Sequence, residues 1–285
     1  MRDDTVLFII THQRAEKQLT LNYLKKAGYS GEIFLVVDNK DKDLEMYKKK
    51  YKDMLLIFDK EDYAKDVDAH INKFPMNGAL FARNACIDFA KKMKKEFYCV
   101  CDDDIQCVKL KDSRSGKLET TKITKRIDEI ISYLIGYMEK TVITALGIPE
   151  DGAYIGGVNQ NVKDGIKFTL SKFMLYRTKE PVIYESIMRE DAAAVMRDLS
   201  IGKVEFSPMI LSVTAPENGT NAGGCQELYK KSSNYANAFM VLMARPDTVK
   251  ITYKKDDFIM RISKTTLHPY IINQHYKKNG EKVSM

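Results

Sequence analysis

The sequence has few cysteines and no long apolar segment. Its five cysteines are an odd number, and none of them forms a CxxC pair. This pattern indicates neither a disulfide framework nor a zinc-binding knuckle. No uninterrupted apolar run approaches the length that spans a membrane, and the opening residues MRDDTVLFII lack the cleavage site of a signal peptide. We therefore expect a soluble protein in a reducing compartment, with no membrane partner.

Repeats, low-complexity tracts and long linkers are also missing from the 285 residues. Apolar residues make up 44% and charged residues 30% of the chain, which is an ordinary globular mix with enough apolar material for a core. We therefore expect one domain that spans residues 1–285.

The charge is unevenly spread along a chain whose formal net charge is +7. Much of the excess lies in one short stretch that contains Lys109, Lys111, Arg114, Lys117, Lys122, Lys125 and Arg126. Clustered cations bind polyanions by releasing counterions from phosphates. Solvated surface lysine is the commoner explanation of such a stretch, and charge alone leaves both interpretations open.

The first hundred residues alternate between two patterns. Apolar, β-rich runs predict strands at 5–10, 32–39, 54–60 and 97–101. Helical periodicity predicts helices between them at 16–27, 41–51 and 79–95. The alternation predicts an α/β fold in which helices cover both faces of a parallel sheet. Ligands of such sheets bind where the strands end at their carboxyl edge.

After Ser132 the pattern is less regular, and we predict a mixed second half. Its predicted elements are helices at 127–140, 187–203 and 227–243, and strands within 168–178, 180–186 and 206–213. The basic segment DSRSGKLETTKITKR at 112–126 is interpreted as a loop that could probe a nucleic-acid groove.

Three aspartates close an apolar strand in FYCVCDDDIQ at 97–106. Asp102 and Asp104 stand at i and i+2 and therefore project to the same side, whereas Asp103 points away. A divalent cation would relieve their repulsion, and their hard oxygen ligands suit Mg²⁺ or Mn²⁺, which keep positions open for substrate phosphates. This arrangement resembles the DxD signature of nucleotide-sugar glycosyltransferases with the GT-A (Rossmann-like) fold.

Two more segments resemble elements of GT-A enzymes. In MNGALFARNACIDFAKK, the resemblance implies that Arg83 faces the nucleotide or its diphosphate. SIMREDAAAVM resembles the xED element of inverting enzymes, which implies Asp191 as the general base with Glu190 beside it. A third metal ligand in such enzymes is often a late histidine, which favours His268 over His275.

A narrower resemblance covers most of the chain. It rests on FLVVDNKDKDLEMYKKKY, LFARNACIDFA, YCVCDDDIQCVKL and GGCQELYKKSSNYANAFMVLMARPDTVKI, which together are similar to the TET-associated glycosyltransferases of phages. The resemblance implies a mixed, mostly parallel GT-A sheet flanked by helices. Within the single domain, residues 1–110 would bind the nucleotide sugar and residues 111–285 would form the acceptor side. The segment NAFMVLMARPDTVKI departs from the family pattern, which bears on the acceptor more than on the donor.

The resemblance implies transfer of a sugar from a UDP-sugar to hydroxymethylated cytosine in double-stranded phage DNA, in the cytoplasm of an infected bacterium. Mn²⁺ or Mg²⁺ would be the cofactor. The implied donor-site residues are Thr11, His12, Arg14, Asp38, Arg83, Asp102 and Asp103. The implied metal ligands are Asp102, Asp104 and His268. The candidates for contact with acceptor DNA are Lys109, Lys111, Arg114, Lys117, Tyr229 and Tyr235, although core packing is the commoner role of such tyrosines.

Three alternatives stay open from the residues. A GT-A enzyme with a glycan, lipid or protein acceptor would keep the same donor site. A nucleotidyltransferase would share the scaffold and the acidic metal site, but the first strand is followed by THQR and not by a glycine-rich loop that carries a lysine. The non-enzyme alternative is a DNA-binding module in which the aspartates bind a structural metal.

Overall fold

The computed structural model describes residues 1–64, 67, 78–154, 172–187, 189–216, 238–243, 245–254 and 257–262. The helices are α1 (Leu19–Lys26), α2 (Leu44–Tyr51), α3 (Lys60–Ala64), α4 (Ala79–Lys92), α5 (Ile127–Glu139) and α6 (Glu190–Ser200), with a further helical segment at 238–243. The strands are β1 (Thr5–Ile10), β2 (Glu32–Asp38), β3 (Leu55–Phe58), β4 (Phe97–Asp102), β5 (Cys107–Asp112), β6 (Glu119–Lys122), β7 (Ile143–Gly147), β8 (Phe173–Arg177), β9 (Val204–Phe206), β10 (Leu211–Thr214), β11 (Val249–Lys254) and β12 (Asp257–Ile262). Over these ranges, none of the helices combines the length and apolar character that crossing a membrane requires.

The main sheet has seven strands in the described part of the chain, in the order β3-β2-β1-β4-β8-β7-β9. Strands β1, β2, β3 and β4 pair in parallel, and β7 pairs in parallel with β9. Strand β8 pairs antiparallel with both β4 and β7. The predicted mixed, mostly parallel sheet with flanking helices is confirmed. Strands β7, β8 and β9 belong to the second half of the chain, so both halves contribute to one sheet.

The two faces of this sheet are both covered, which explains why β1 is apolar throughout. Val6 and Phe8 of β1 pack on one face in a cluster that includes Phe81 of α4. Leu7 packs on the other face in a cluster that includes Leu24 of α1, and α5 contributes to the same cluster. Packing of helices on both faces therefore holds β1 and β4 in place. This packing also fixes the positions from which the loops at the carboxyl ends of β1 and β4 start.

The basic segment at 112–126 is not a single loop, and the prediction is wrong for Glu119–Lys122, which form β6. Strands β5 and β6 form a hairpin, and β10 pairs with the other side of β5 to give a small three-stranded sheet in the described residues. Gly116 has φ +80 in the connection between them, a conformation that glycine adopts without steric cost. Buried Val108 and exposed, polar Lys122 show that only one face of the hairpin packs on the core.

Two strand predictions in the second half also differ from the structure. The segment 181–186 has no regular secondary structure, because the side chain of Asn84 takes the place of a neighbouring strand. Its amide donates to the carbonyl of Tyr184 at 2.8 Å, and its carbonyl oxygen accepts from the Tyr184 backbone N–H at 3.0 Å. The predicted strand at 206–213 is two strands, since β9 ends before Pro208 and β10 begins after it.

Candidate active site

The carboxyl edge of the main sheet gathers charged side chains from three distant places in the chain. Asp102 is the last residue of β4, Lys172 directly precedes β8, and Glu190 begins α6. The Asp102 backbone N–H donates to the Lys172 carbonyl at 2.9 Å. Because β8 runs antiparallel to β4, its first residues lie at the same edge where β4 ends.

Arg83 of α4 lies between the end of strand β4 and the start of helix α6. Its guanidinium is 3.1 Å from Asp102 Oδ1 and 3.6 Å from Glu190 Oε1, and it lies 5.5 Å from the ring centroid of Tyr184. The residue is only 6% exposed. Arg83 therefore joins Asp102 at the end of β4 to Glu190 at the start of α6, instead of facing open solvent.

Burial perturbs both carboxylates that Arg83 contacts. It raises the pKa of Asp102 to about 6, although the charge of Arg83 opposes the rise. Burial, followed by the charge of neighbouring Asp191, raises the pKa of Glu190 to about 7. Carboxylates that are buried and close to one another favour their protonated forms unless a cation compensates them. This corner of the site therefore has room for more positive charge than Arg83 supplies.

Asp103 points away from its two neighbours, as the alternation of a strand end predicts. Its carboxylate accepts a hydrogen bond from Thr11 Oγ1 at 2.6 Å and forms an ion pair with Arg14. Gln18 Nε2 donates to the same threonine oxygen at 2.8 Å. Three predicted donor-site residues thus bind one another, and Asp103, which is 4% exposed, holds Thr11 and Arg14 in place.

Lys172 and Glu150 also lie at this edge of the sheet, and the sequence analysis missed both. Lys172 Nζ lies 3.2 and 3.1 Å from the two carboxylate oxygens of Asp104. Burial raises the pKa of Glu150, and the charges of Asp104 and Asp191 act in the same direction while Lys172 opposes them. A signal for Glu150 was present, because an acidic pair follows the apolar run of β7 just as the aspartates follow β4.

This geometry coincides with a family match over most of the chain. The family model for TET-associated glycosyltransferases matches residues 5–224, which is well over half of the chain. The chain belongs to the TET-associated glycosyltransferase family. The recognition made from the sequence motifs is confirmed, and so is the broad activity class of a glycosyltransferase.

Several solved structures are similar to this glycosyltransferase, all at low identity. They include TarS 1-349 of S. aureus (17% identity, TM-score 0.43, covering 74% of this chain and 60% of that one) and the mannosyltransferase PcManGT of Pyrobaculum calidifontis with GDP-Man and Mn²⁺ (10%, 0.48, 86% and 74%). A third is glucosyl-3-phosphoglycerate synthase of Mycobacterium tuberculosis with Mn²⁺ and UDP-glucose (9%, 0.46, 90% and 86%). No curated protein matches the chain. Scores this low carry no argument about substrate or site.

The remaining predicted donor residues of this glycosyltransferase lie at the ends of β1 and β2. His12 Nδ1 is 2.9 Å from Asp41 Oδ2. Asp38, which ends β2, forms an ion pair with Lys60 at 2.7 Å and accepts from the Lys40 backbone N–H at 3.0 Å. Both residues lie at the expected edge of the sheet. His12 is bonded to the loop that follows β2, and Asp38 is bonded to α3 and to its own loop.

The predicted DNA-facing lysines are bonded internally. Lys109 Nζ and Lys111 Nζ lie 2.6 and 3.2 Å from the Asp151 carboxylate, which also accepts hydrogen bonds from the hydroxyls of Ser212 and Thr214. These hydrogen bonds lower the pKa of Asp151 although burial opposes the shift. Asp151 thus fastens β5 and β10 to the edge that carries Glu150.

The other candidates for DNA contact divide into exposed residues and residues that cannot be placed. Arg114 has 91% of its side chain exposed and pairs with Asp112 at 2.5 Å, and Lys117 of the same turn is also exposed. Tyr229, Tyr235 and His268 lie outside the described residues.

A divalent metal fits this site only together with a donor. In the part of the chain that the structure describes, no three His, Cys, Asp or Glu side chains group as a metal site. Asp102 and Asp104 supply two hard oxygen ligands whose charge is incompletely compensated. Mg²⁺ and its analogues are commonly bound by one or two carboxylates, with waters and substrate phosphates as the other ligands. Two aspartates suit that mode, in which the diphosphate of a nucleotide sugar completes the coordination.

Proposed function

We propose that this glycosyltransferase moves a sugar from a UDP-sugar to the hydroxymethyl group of modified cytosine in double-stranded DNA, in the cytoplasm of a phage-infected bacterium. One observation carries the proposal. Arg83 contacts Asp102 on one side and Glu190 on the other, so a single buried cation connects the predicted donor site to the residue directly before the predicted base Asp191.

On the donor side, Asp102 and Asp104 would hold Mn²⁺ or Mg²⁺. When bound, such an ion neutralises the charge that develops on the departing diphosphate. Thr11 and Arg14 are held in place through Asp103 at the end of β1, where the nucleotide would lie. The donor is thus positioned by side chains whose own geometry is fixed before it binds.

On the acceptor side, Asp191 would take the proton of the acceptor hydroxyl. It lies in the first turn of α6, and its Oδ1 accepts from the Ala192 backbone N–H at 2.7 Å. A carboxylate at this position can act as the general base that accepts the hydroxyl proton. The hydroxyl oxygen would bond to the anomeric carbon as the bond to UDP breaks on the opposite face, so an α-linked donor gives a β-linked product.

DNA as the acceptor is supported by position and by charge. The β5–β6 hairpin carries Lys109, Lys111 and the exposed Arg114. Ion pairs with Asp151 hold it beside the sheet edge that carries Glu150. Phosphates would be bound by such cations, while the hydroxymethyl group is reached in the major groove or after the base is flipped out.

The experiment is incubation of the protein with hydroxymethylated DNA and a panel of UDP-sugars with Mn²⁺, followed by mass spectrometry of the nucleosides. We expect a sugar adduct on the hydroxymethylated nucleoside only, with unmodified DNA as the control. Asp104→Ala should abolish transfer. Normal transfer by Asp104→Ala would contradict the assignment of the metal site.

A second candidate keeps the donor site and replaces DNA with a glycan, lipid or protein acceptor. The internal pairing of Lys109 and Lys111 with Asp151 favours it, because paired lysines offer less charge to phosphates. Affinity for hydroxymethylated duplex DNA that falls steeply with salt supports the first candidate. Salt-independent or absent DNA binding supports the second.

A further inference from the structure

Lys172 is a buried cation with acidic neighbours on several sides. The residue is 8% exposed, and its Nζ lies within hydrogen-bond distance of both oxygens of Asp104. Its backbone carbonyl accepts from the N–H of Asp102. The ammonium group is therefore fixed at the end of β4, beside the second aspartate of the predicted metal pair.

Lys172 lies close to the position that a metal ion bound to Asp104 would take. An ammonium that contacts both oxygens of a carboxylate takes up a lone-pair site on each of them and blocks the direction from which a metal ion would chelate both. Two cations on one carboxylate also repel each other, and partial burial weakens the screening of that repulsion. A divalent ion that binds Asp104 must therefore displace the ammonium of Lys172 from at least one oxygen.

A displaced Lys172 needs a new anion, because a buried ammonium without a partner is costly. The only other new negative charge that enters the site with the metal is the donor diphosphate. Its phosphate oxygens suit an ammonium group, which donates up to three hydrogen bonds to them. The metal thus replaces Lys172 as the partner of Asp104, and the diphosphate replaces Asp104 as the partner of Lys172.

We propose that Lys172 is a donor-site residue that competes with the divalent metal for Asp104 in the free protein and binds the diphosphate once the donor enters. This inference rests on the proposed metal-dependent function and specifies how that site fills. It makes metal binding weak without the nucleotide and strong with it. By linkage, the same factor describes how much the metal improves nucleotide binding.

The test is a Mn²⁺ titration of the full chain, read from the electron paramagnetic resonance signal of free Mn²⁺, with and without UDP. Without UDP, Lys172→Met should bind Mn²⁺ about tenfold more tightly than the wild type does, because the competing cation is gone. Addition of UDP should improve Mn²⁺ affinity about tenfold less in Lys172→Met than in the wild type.

Three further variants make the comparison specific. Lys172→Gln can still donate a hydrogen bond to Asp104 but carries no charge, so it should show the affinities expected of Lys172→Met. It replaces Lys172→Met if circular dichroism shows that the methionine variant is poorly folded. Lys172→Arg keeps the charge and should keep weak Mn²⁺ binding in the absence of UDP. Lys179→Met removes an exposed lysine nearby in the sequence and should leave both affinities unchanged.

Two results overturn the inference while the proposed function stands. One is wild-type Mn²⁺ affinity in the uncharged Lys172 variants without UDP, and the other is an unchanged gain on addition of UDP. If the wild type binds no Mn²⁺ even with UDP, the metal-dependent function itself fails, and this inference fails with it. Transfer to DNA is not part of the readout, so the choice of acceptor does not affect the result.

Discussion

Replacement of Arg83 with methionine tests whether this residue compensates the charges of the site. Methionine keeps much of the side-chain length but removes the guanidinium that contacts Asp102 at 3.1 Å and Glu190 at 3.6 Å. The two carboxylates would then lose their partner in a buried environment. Their response to pH separates this electrostatic role from simple packing.

The magnitude follows from the pKa values. With Arg83 present, Asp102 has a pKa of about 6 and Glu190 a pKa of about 7. At about pH 7.5 their ionisation in the wild type is favourable by about 2 and about 0.7 kcal/mol, at about 1.4 kcal/mol per pKa unit. Without Arg83 the two carboxylates can bind protons and lose their charge. The electrostatic loss in the free energy of unfolding is therefore at most about 3 kcal/mol. At about pH 5 both groups are mostly protonated in the wild type already, and this loss disappears.

The assay is urea unfolding of wild type and Arg83→Met at both pH values. We expect the destabilisation to be larger at about pH 7.5 than at about pH 5, by up to about 3 kcal/mol, since the packing loss is the same at both. Arg197→Met is the matched control, because its ion pair with Glu185 spans 3.4 Å between side chains that are 39% and 47% exposed. Such a surface pair should contribute about 0–1 kcal/mol. Equal destabilisation by Arg83→Met at both pH values would refute the reasoning.

Three further predictions concern the base, a buried acid and the hairpin. Asp191→Asn should lower the rate of transfer by about 10²–10⁴-fold while Mn²⁺–UDP affinity in calorimetry is unchanged, and normal turnover would remove Asp191 as the base. Both carboxylate oxygens of Glu205 are buried without a hydrogen-bond partner among the described residues, and burial raises its pKa well above the usual value. Its stabilising contribution is present at low pH and lost as pH rises, so Glu205→Gln should gain stability over the wild type between about pH 5 and about pH 9 in urea melts; a constant difference would contradict this. Joint replacement of Lys109 and Lys111 by alanine should reduce the slope of log affinity for DNA against log salt by up to about 2, whereas the exposed control Lys49→Ala should not; an unchanged slope would show that the hairpin does not bind phosphates.

The first half of the fold could be predicted because its strands are covered on both faces. A run such as Val6 to Ile10 is apolar at every position, which is typical of a strand that is buried on both faces of a layered sheet. The β5–β6 hairpin was missed because one face carries lysines that bind Asp151 or project into solvent. In a single sequence those lysines resemble the residues of a loop.

The sequence predicts the parts of the site whose residues are close together in the chain, but not the contacts between residues that are far apart. Asp102 and Asp104 are only two residues apart in the chain, so the geometry of a strand end predicts that they project to the same side. The partner of Asp104 is Lys172, which is 68 residues away. That contact exists because β8 inserts antiparallel between β4 and β7, and strand order is not visible in a hydrophobic pattern. Arg83 was predicted, but its contact with Glu190 depends on the packing of α4 against α6.

The most direct measurement of the central claim is a crystal structure of the protein with Mn²⁺ and UDP. The account predicts that the ion binds carboxylate oxygens of Asp102 and Asp104 and phosphate oxygens of UDP. An ion bound elsewhere, or UDP bound away from the ends of β1 and β4, would contradict it.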